Sequence, residues 1–421
     1  GGNAADAAVA TALALAVVYP QAGNLGGGGF ALWVPAEGAA LALDFRETAP
    51  SSAAASRLFD DDGRALGALL VSSPLGGGVP GSPRGLAELL ERCGSGRFTL
   101  SELCAPAIVL ARDGFAVDAN LAADLRDVED RARLFACPGA RALFFPDGEP
   151  LAEGVRLRQP ELAATLARYA ELGPDGFYRG ATAQALVAEL DDAARTLPVG
   201  ERWDAGWIRV EDLDAYTTKW RTPLVAKFRG RELITFPMPS SGGVIVAMVA
   251  ALLDGFPLDL QREHALAART DGAPACGLDA QAAHWWIESE RRSFEMRASS
   301  MGDPDFVDVP VASMLAQSWI RAARATIGAR AGDDAHAPPL HEGDSTTHLS
   351  VVDAQGNALA LTTTLNSSFG SGILVRGAGF LLNNELDDFA LGGGARNQFG
   401  LVGGDANALA PGKRPLSSMT P

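Results

Sequence analysis

The chain is poor in the residues that build disulfide frameworks and metal centres. Its 421 residues include only four cysteines and five histidines. The cysteines contain no C-x-x-C pair and the histidines no H-E-x-x-H pattern, so neither a disulfide framework nor a zinc site is indicated. Cys93 and Cys104 are close enough in the sequence to pair, and their spacing leaves both the paired and the free state open.

Positive charge is also scarce. The formal net charge is -16 and no long basic run occurs, which argues against nucleic acid or an anionic membrane as a partner. Hydrophobic residues make up 47% of the chain, enough for a large core, so we expect a globular protein. By length alone the chain could hold two or three domains.

The apolar opening segment lacks the features of a targeting sequence. It has no positively charged start, and Asp6 interrupts the run, so it is not typical of a signal peptide. The run is also too short to span a bilayer. Asn3 is a good N-cap, and Pro20 is expected to end a helix at about Tyr19. The segment therefore predicts a buried helix.

A run of four glycines follows at 26–29, but it lacks the marks of a nucleotide site. It comes after a helix, has no G-x-G-x-x-G spacing and has no P-loop lysine. Crowding of the backbone against the core is the better interpretation. Further along, Ser240 and Ser241 open an apolar helix, where serines are usually N-caps, and we assign them no catalytic role.

The most informative stretch runs from 344 to 372. Residues 346–352 are rich in β-branched side chains, 353–357 form a turn cluster, and 358–365 alternate again. Two such runs around a Gly/Asn turn predict a β-hairpin. Pairing outward from the turn places Thr346 opposite Thr364 or Leu365.

That pairing has a chemical consequence if the chain is cut between Ser345 and Thr346. Thr346 would then carry a free α-amino group, whose ordinary pKa is about 7.7–8.0. The amine could take the proton of the Thr346 hydroxyl, and Thr364 could hydrogen-bond that hydroxyl from the next strand. The alternative is that threonine is simply a good strand former. The polar segment 331–344 before it is typical of a flexible linker.

Several ordered blocks resemble one family. They are 346–353 (TTHLSVVD), 364–370 (TLNSSFG), 382–389 (LNNELDDF), 400–407 (GLVGGDAN) and 413–419 (KRPLSSM). Together they resemble the small subunit of γ-glutamyltranspeptidases, which are N-terminal-nucleophile hydrolases. The resemblance implies an α/β (α+β) fold, the four-layer αββα sandwich, and self-cleavage before Thr346. Residues 1–345 would be the large-subunit region and 346–421 the first part of the small subunit of the same precursor.

The resemblance also implies an activity. Thr346 would attack γ-glutamyl amides such as glutathione, form a γ-glutamyl-threonine acyl-enzyme, and pass the group to water, an amino acid or a peptide. It implies no metal and no organic cofactor, and it implies a periplasmic or secreted location. Rival interpretations are a related cephalosporin or glutaryl acylase, and an inactive homologue that never matures and has a binding role.

Substrate-binding residues follow from the same resemblance. A γ-glutamyl group carries both an ammonium and a carboxylate, so its site needs both charges side by side. A planar arginine fork suits a carboxylate, and two acidic residues at i,i+3 suit an ammonium. The candidates are Arg46, Asn366, Glu385, Asp388, Ser417 and Ser418. Asp388 would disfavour glutaryl side chains, which leave it unpaired.

Two further expectations concern the ends of the site. The Gly-rich segment 390–413 resembles the lid loop of bacterial members, with Phe399 where many have tyrosine. Phenylalanine has no hydroxyl with which to hold such a lid closed. The resemblance also leads us to expect a chain truncated at both ends, with the oxyanion-hole glycines beyond Pro421.

Overall fold

Helices and antiparallel strands are interspersed along the chain. In the computed structural model, the described residues are 1–197, 205–258, 280–332, 346–392 and 394–421. The helices of the first half are α1 (Ala4–Val18), α2 (Ala68–Ser72), α3 (Ser82–Cys93), α4 (Leu100–Asp113), α5 (Ala119–Asp124), α6 (Val128–Ala136), α7 (Pro138–Phe144), α8 (Pro160–Leu172), α9 (Asp175–Tyr178) and α10 (Gly180–Thr196). The later helices are α11 (Val210–Ala215), α12 (Ser241–Leu253), α13 (Ala280–Ser300), α14 (Val311–Met314) and α15 (Gln317–Ala325).

The strands come from distant parts of the chain. They are β1 (Gly28–Val34), β2 (Leu41–Asp44), β3 (Phe115–Ala116), β4 (Arg156–Leu157), β5 (Lys219–Arg221), β6 (Leu224–Phe228), β7 (Arg231–Thr235), β8 (Thr346–Val352) and β9 (Ala358–Thr364). Five of them form one sheet in the order β5-β2-β1-β9-β8. Every neighbouring pair in this sheet is antiparallel. The predicted hairpin of β8 and β9 is confirmed and forms one edge of the sheet.

Helices cover one face of this sheet. Ala31 and Trp33 of β1 point into the same core as Val9 and Leu13 of α1. α1 begins as predicted: the Asn3 side chain accepts from the N–H groups of the first turn, in a capping box with Asp6. A capping box satisfies helix N–H groups that otherwise lack partners, so the apolar opening segment is a buried helix.

A two-stranded sheet and two helices cover the other face. Phe30 and Leu32 of β1 lie in one cluster with Phe236, which follows β7, and the rings of Phe30 and Phe236 are 4.6 Å apart. Val244 and Met248 of α12 pack with residues near the β6–β7 hairpin on its outer side. The layers are therefore helix, sheet, sheet, helix, and the predicted αββα order is confirmed, with β6 and β7 as the second sheet among the described residues.

The glycine run is crowded by backbone. A Cβ atom on Gly27 would lie 2.1 Å from the carbonyl oxygen of Thr364, and one on Gly29 would lie 2.2 Å from that of Thr362. Both distances are far below van der Waals contact, so a side chain at either position would force the strands apart. The interpretation of this run as a close backbone approach is confirmed.

Three other expectations meet the structure here. Of the two states left open for Cys93 and Cys104, the structure has the free one: both thiols are buried and unpaired, and each packs as a small apolar group. The searched helices of the described residues include none that is long and apolar enough to cross a bilayer. Most of the expected linker, 333–344, lies outside the described residues.

Candidate active site

The site begins at the end of the hairpin where β8 starts and β9 stops. Thr346 is the first residue of β8 and pairs in register with Thr364, the last residue of β9. Their Oγ1 atoms are 3.4 Å apart. Thr346 is exposed, whereas Thr364 is 2% exposed. Ser345, the residue before the expected cut, lies outside the described residues.

The residues after β9 orient the Thr364 hydroxyl. The backbone N–H of Asn366 donates to Thr364 Oγ1 at 3.0 Å, so the Thr364 hydroxyl can donate its own hydrogen towards Thr346. Asn366 has a positive φ of 77°, a conformation that asparagine tolerates better than most residues. Its side-chain nitrogen donates to the Asn384 carbonyl at 3.0 Å, which ties this turn to the acidic turn that follows.

The same end of the sheet carries Arg46. Gly28, the first residue of β1, pairs with Thr364, and the next residue, Gly29, exchanges backbone hydrogen bonds with Phe45. A Cβ atom on Gly28 would lie 2.7 Å from the Glu47 carboxylate. The chain from Phe45 to Glu47 therefore runs past the strand end that holds Thr364.

Arg46 is at the centre of a buried ion cluster. Its Nη1 atom donates to Glu385, its Nη2 atom donates to Asp388 at 2.7 Å, and its Nε atom donates to the Pro415 carbonyl at 3.4 Å. Glu47 lies 3.7 Å from Nη1. Arg46 and Glu47 are 0% exposed and Glu385 is 1% exposed, so these charges interact with little solvent screening.

The cluster contains more carboxylates than Arg46 can match. Burial raises the pKa of Glu47, against the pull of Arg46, and it raises the pKa of Glu385 well above its ordinary value. Burial lowers the pKa of Arg46, but Glu385, Glu47 and Asp388 together outweigh it and raise that pKa. Both carboxylate oxygens of Glu47 and the Oε2 atom of Glu385 are buried without a hydrogen-bond partner among the described residues. Such groups are costly when left unpaired.

The acidic turn is braced by the asparagines before it. Glu385–Asp388 is a 3₁₀ turn, so both acidic ends reach the same arginine, as the i,i+3 spacing indicated. Asn383 donates to the carbonyls of Gly26 and Gly78 and accepts from the N–H of Glu385. These bonds fix the turn against the glycine run at the start of β1.

Ser417 and Ser418 lie on a segment that reaches the cluster through Pro415. The Ser417 N–H donates to the Pro239 carbonyl at 3.0 Å, and its hydroxyl accepts from the Met419 N–H at 3.1 Å. Ser417 is buried, whereas Ser418 is exposed. The structure therefore joins this pair to the arginine side of the site.

A family model described as gamma-glutamyltranspeptidase matches residues 1–421. The chain belongs to the γ-glutamyltranspeptidase family. It is 40% identical over 430 residues to a protein of Pseudomonas sp. (strain A14) named glutathione hydrolase proenzyme, with 100% of this chain and 69% of that protein covered. The resemblance inferred from the motifs is confirmed.

Solved structures agree with this membership. The crystal structure of Helicobacter pylori gamma-glutamyltranspeptidase has a TM-score of 0.70 and 34% identity, and the match covers 82% of this chain and 92% of that one. The crystal structure of a cephalosporin acylase from Bacillus halodurans has a TM-score of 0.77 and 26% identity, covering 100% of this chain and 70% of that one. The fold is therefore that of γ-glutamyltranspeptidases and related acylases.

The lid-like segment is attached to the acidic turn. Asn397 donates to Asp388 at 3.0 Å, and the N–H of Gln398 donates to Asp387 at 3.1 Å. The Ser367 hydroxyl donates to Gln398 Oε1 at 2.7 Å. Phe399, the predicted lid residue, is half-buried, and its N–H donates to the Asn397 side chain at 3.1 Å. In this family member Asn397 and Gln398 thus fasten the segment without an aromatic hydroxyl.

Sequence reasoning missed several residues of the site. Glu47 was given no role, yet it is fully buried beside Arg46. Asp387 was given no role, yet burial raises its pKa to about 7. Ser241 is more than the start of a helix, since its hydroxyl donates to the Ser417 carbonyl. Only the acidic doublet at 387–388 carried a local pattern that could have drawn attention to Asp387.

Proposed function

We propose that this protein transfers or hydrolyses γ-glutamyl groups of glutathione and related γ-glutamyl amides, with Thr346 as the nucleophile. The observation that carries the proposal is the 3.4 Å approach of the Thr346 and Thr364 hydroxyls, at the same end of the sheet as the ion cluster of Arg46. The nucleophile and the ion cluster lie at the same end of the sheet. This arrangement suits a γ-glutamyl substrate, in which a short aliphatic chain separates the reacting carbonyl from the α-ammonium and the α-carboxylate.

Maturation would create the catalytic amine. The Thr346 hydroxyl attacks the carbonyl carbon of Ser345, the amide bond breaks and the acyl group passes to oxygen. The Thr346 nitrogen keeps its own proton, receives the proton that the hydroxyl loses, and becomes an amine. Water then hydrolyses the ester, which leaves Ser345 as a carboxylate and restores the hydroxyl. The products would be a piece ending at Ser345 and a piece starting at Thr346.

The catalytic cycle would then use that amine as the base. It takes the proton of the Thr346 hydroxyl as the oxygen attacks the γ-carbonyl, and the proton passes to the leaving amine. Thr364 stabilises the attacking oxygen by donating its hydroxyl hydrogen. Water or an amine attacks the resulting ester in the second half, and Thr346 is released.

The ion cluster would recognise the zwitterionic end of the substrate. Arg46 already pairs with both Glu385 and Asp388, so an entering α-carboxylate would replace them on the guanidinium, while the α-ammonium would pair with the two acids. Because the ammonium has three donors, it can also satisfy the unpaired Oε2 atom of Glu385. The exchange turns the two ion pairs of Arg46 with Glu385 and Asp388 into three, one between Arg46 and the α-carboxylate and one between the ammonium and each acid. The exposed Ser418 hydroxyl would donate to the carboxylate, and the Asn366 side chain would add an amide contact.

An acylase that acts on glutaryl side chains is the second candidate, because the Bacillus halodurans structure is named a cephalosporin acylase. A glutaryl group has a carboxylate but no ammonium. It would displace Glu385 and Asp388 from Arg46 and leave both acids unpaired, which costs about 1–3 kcal/mol for each unsatisfied group. The acidic excess of the cluster therefore favours γ-glutamyl substrates.

Turnover of two anilides tests the proposal. Two unpaired acids at about 1–3 kcal/mol each predict that kcat/KM for γ-glutamyl-4-nitroanilide exceeds that for glutaryl-4-nitroanilide by about 30-fold or more. Thr346→Ala should abolish turnover of both, whereas Thr347→Ala, whose side chain lies on the other face of β8, should retain it. A preference for the glutaryl anilide would replace this function with the acylase function. No turnover together with a single uncut chain would indicate the inactive homologue.

The subunit division and the location belong to the same proposal. Residues 1–345 would form the large piece and residues from 346 the small piece of one precursor, held together by the pairing of β1 with β9. We propose a periplasmic or secreted location. No cofactor enters the scheme, and the acceptor would be water, an amino acid or a peptide.

A further inference from the structure

Arg297 is a buried cation that the scheme above does not use. It lies on α13, is 3% exposed, and lines a small cavity of about 20 Å³ beside Asp388 and Asn407. Burial lowers the pKa of Arg297, Asp388 raises it and Arg46 lowers it further. Burying a guanidinium costs free energy unless it is paired and hydrogen-bonded.

The hydrogen bond of Arg297 points towards the Ser417 segment. Its Nε atom donates to the Ser241 hydroxyl at 3.0 Å. That hydroxyl donates in turn to the Ser417 carbonyl at 2.7 Å, and the Ser241 N–H donates to the same carbonyl at 2.7 Å. A hydroxyl that accepts a hydrogen bond from a cation is a stronger donor, so Arg297 strengthens the hydrogen bond from Ser241 to the Ser417 carbonyl.

The neighbouring residues hold the same segment on both sides. Ser240 and Ser417 form a parallel bridge, the Ser417 N–H donates to the Pro239 carbonyl, and the Ser240 hydroxyl donates to the Met419 carbonyl. The backbone is thus fixed immediately before and after Ser418, whose side chain is left exposed. The residues at the start of α12 therefore hold this segment in place, and Arg297 supports them through its hydrogen bond to Ser241.

We propose that Arg297, acting through Ser241, is a positioning residue for recognition of the substrate α-carboxylate. The inference rests on the proposed function, because it assigns the Ser417–Ser418 segment to that carboxylate beside Arg46. Without Arg297 the Ser241 hydroxyl would lose its charge-assisted bond and would hold the Ser417 carbonyl less firmly. A displacement of about 1 Å at a binding group can cost on the order of 100-fold in rate. The effect should fall on substrates that carry the carboxylate.

Two donor substrates separate this role from a general structural one. They are γ-glutamyl-4-nitroanilide and 4-aminobutanoyl-4-nitroanilide, which keeps the ammonium and lacks the α-carboxylate. For Arg297→Gln and Ser241→Ala we expect kcat/KM for the first substrate to fall about 10–100-fold, mainly through KM, with a much smaller fall for the second. Arg297→Lys should restore part of the loss.

The matched control is Arg324→Gln. Arg324 also holds α12, but at its other end, through the carbonyls of Leu252 and Ala251, so this variant should leave the ratio of the two kcat/KM values unchanged. A gel of each variant reports chain cleavage. If Arg297→Gln does not mature, Ser241→Ala and Arg297→Lys decide.

Three outcomes are distinguishable. A ratio that falls in the Arg297 and Ser241 variants and not in Arg324→Gln supports the positioning role. Equal losses on both substrates, or an unchanged ratio, overturn it while leaving the proposed function intact. A wild-type protein that turns over neither anilide, or does not prefer the one with the carboxylate, overturns the proposed function and this inference together. Inhibition constants for L-glutamate and 4-aminobutanoate give the same ratio if the second anilide reacts too slowly to measure.

Discussion

Replacing Arg46 with glutamine removes the cation on which the buried carboxylates depend. The guanidinium contacts Glu385 and Asp388 and lies 3.7 Å from Glu47. Removing one partner of a buried ion pair costs about 3–5 kcal/mol, because the other charge remains buried and unpaired. We expect Arg46→Gln to lower the free energy of unfolding by about that amount at pH 8 and to abolish turnover of γ-glutamyl anilide.

The loss should depend on pH in a definite direction. Burial already raises the pKa of Glu47 and Glu385 in the folded protein, and Arg46 opposes that rise. Without Arg46 the two pKa values rise further, so the folded state binds these protons more tightly than the unfolded chain does. A carboxyl group with a raised pKa in the folded state makes the folded protein less stable as the pH rises from the unfolded pKa towards the folded one. The variant should therefore lose less stability at pH 5 than at pH 8.

Urea denaturation at both pH values measures these differences. Arg112→Gln is the control, because Arg112 pairs with Asp113 on the surface, where both side chains are more than half exposed, and exposed pairs contribute little. Its unfolding midpoint should stay close to that of the wild-type protein. The electrostatic reasoning is refuted if Arg46→Gln behaves like this control, or if it loses the same stability at pH 5 and pH 8.

Three other substitutions test separate parts of the structure. Burial raises the pKa of Asp387 from its ordinary 3.8 to about 7, so its ionisation opposes folding increasingly as the pH rises from about 4 to 7. Asp387→Asn should therefore raise the melting temperature by about 2–4 °C at pH 8 and by less at pH 5; an equal change at both pH values would contradict this. Gly27→Ala should lower the free energy of unfolding measured by calorimetry by about 1–3 kcal/mol, because the added Cβ would meet the Thr364 carbonyl. Gly328→Ala is the control, since there is open space around Gly328, and it should lower that free energy little. Similar losses in both variants would argue against the crowding. Thr364→Val should slow anilide turnover about 3–10-fold through loss of one hydrogen bond, measured as kcat, and an unchanged kcat would remove Thr364 from the site.

The parts of the fold that depend on local pattern could be predicted from the sequence. The Gly/Asn turn at 353–357 and the alternation on each side of it fix the hairpin, and the register of that hairpin alone brings Thr346 opposite Thr364. The N-cap at Asn3 and the stop near Pro20 define α1 in the same way. The close backbone approach at the glycine run 26–29 could be predicted because the run lacks the spacing and the lysine of a phosphate-binding loop.

The contacts of the site could not be predicted in the same way, because they join residues that are far apart in the sequence. Arg46 meets Glu385 across 339 positions and Asp388 across 342, so no local pattern shows that its fork is already filled by protein carboxylates. Ser241 was indistinguishable from an ordinary helix cap, since its bond to Ser417 depends on tertiary packing. The pairing of Cys93 with Cys104 was left open for the same reason, and both thiols are free.

Family resemblance supplied the roles that geometry alone would not. The ammonium and carboxylate contacts of Glu385, Asp388, Ser417 and Ser418 are predictions that follow from the resemblance. What the structure adds is the excess of acid over base in the cluster and its unpaired carboxylate oxygens, a physical reason for a cationic ligand group that no motif contains.

Sequencing the N-termini of the mature protein examines the nucleophile itself. We predict two chains, of which the smaller begins with Thr346, in the wild-type protein and in Thr346→Ser, and a single intact chain without turnover in Thr346→Ala. A new N-terminus at any other residue, or full γ-glutamyl turnover by Thr346→Ala, would contradict the assignment of Thr346 as the residue whose freed amine activates its own hydroxyl.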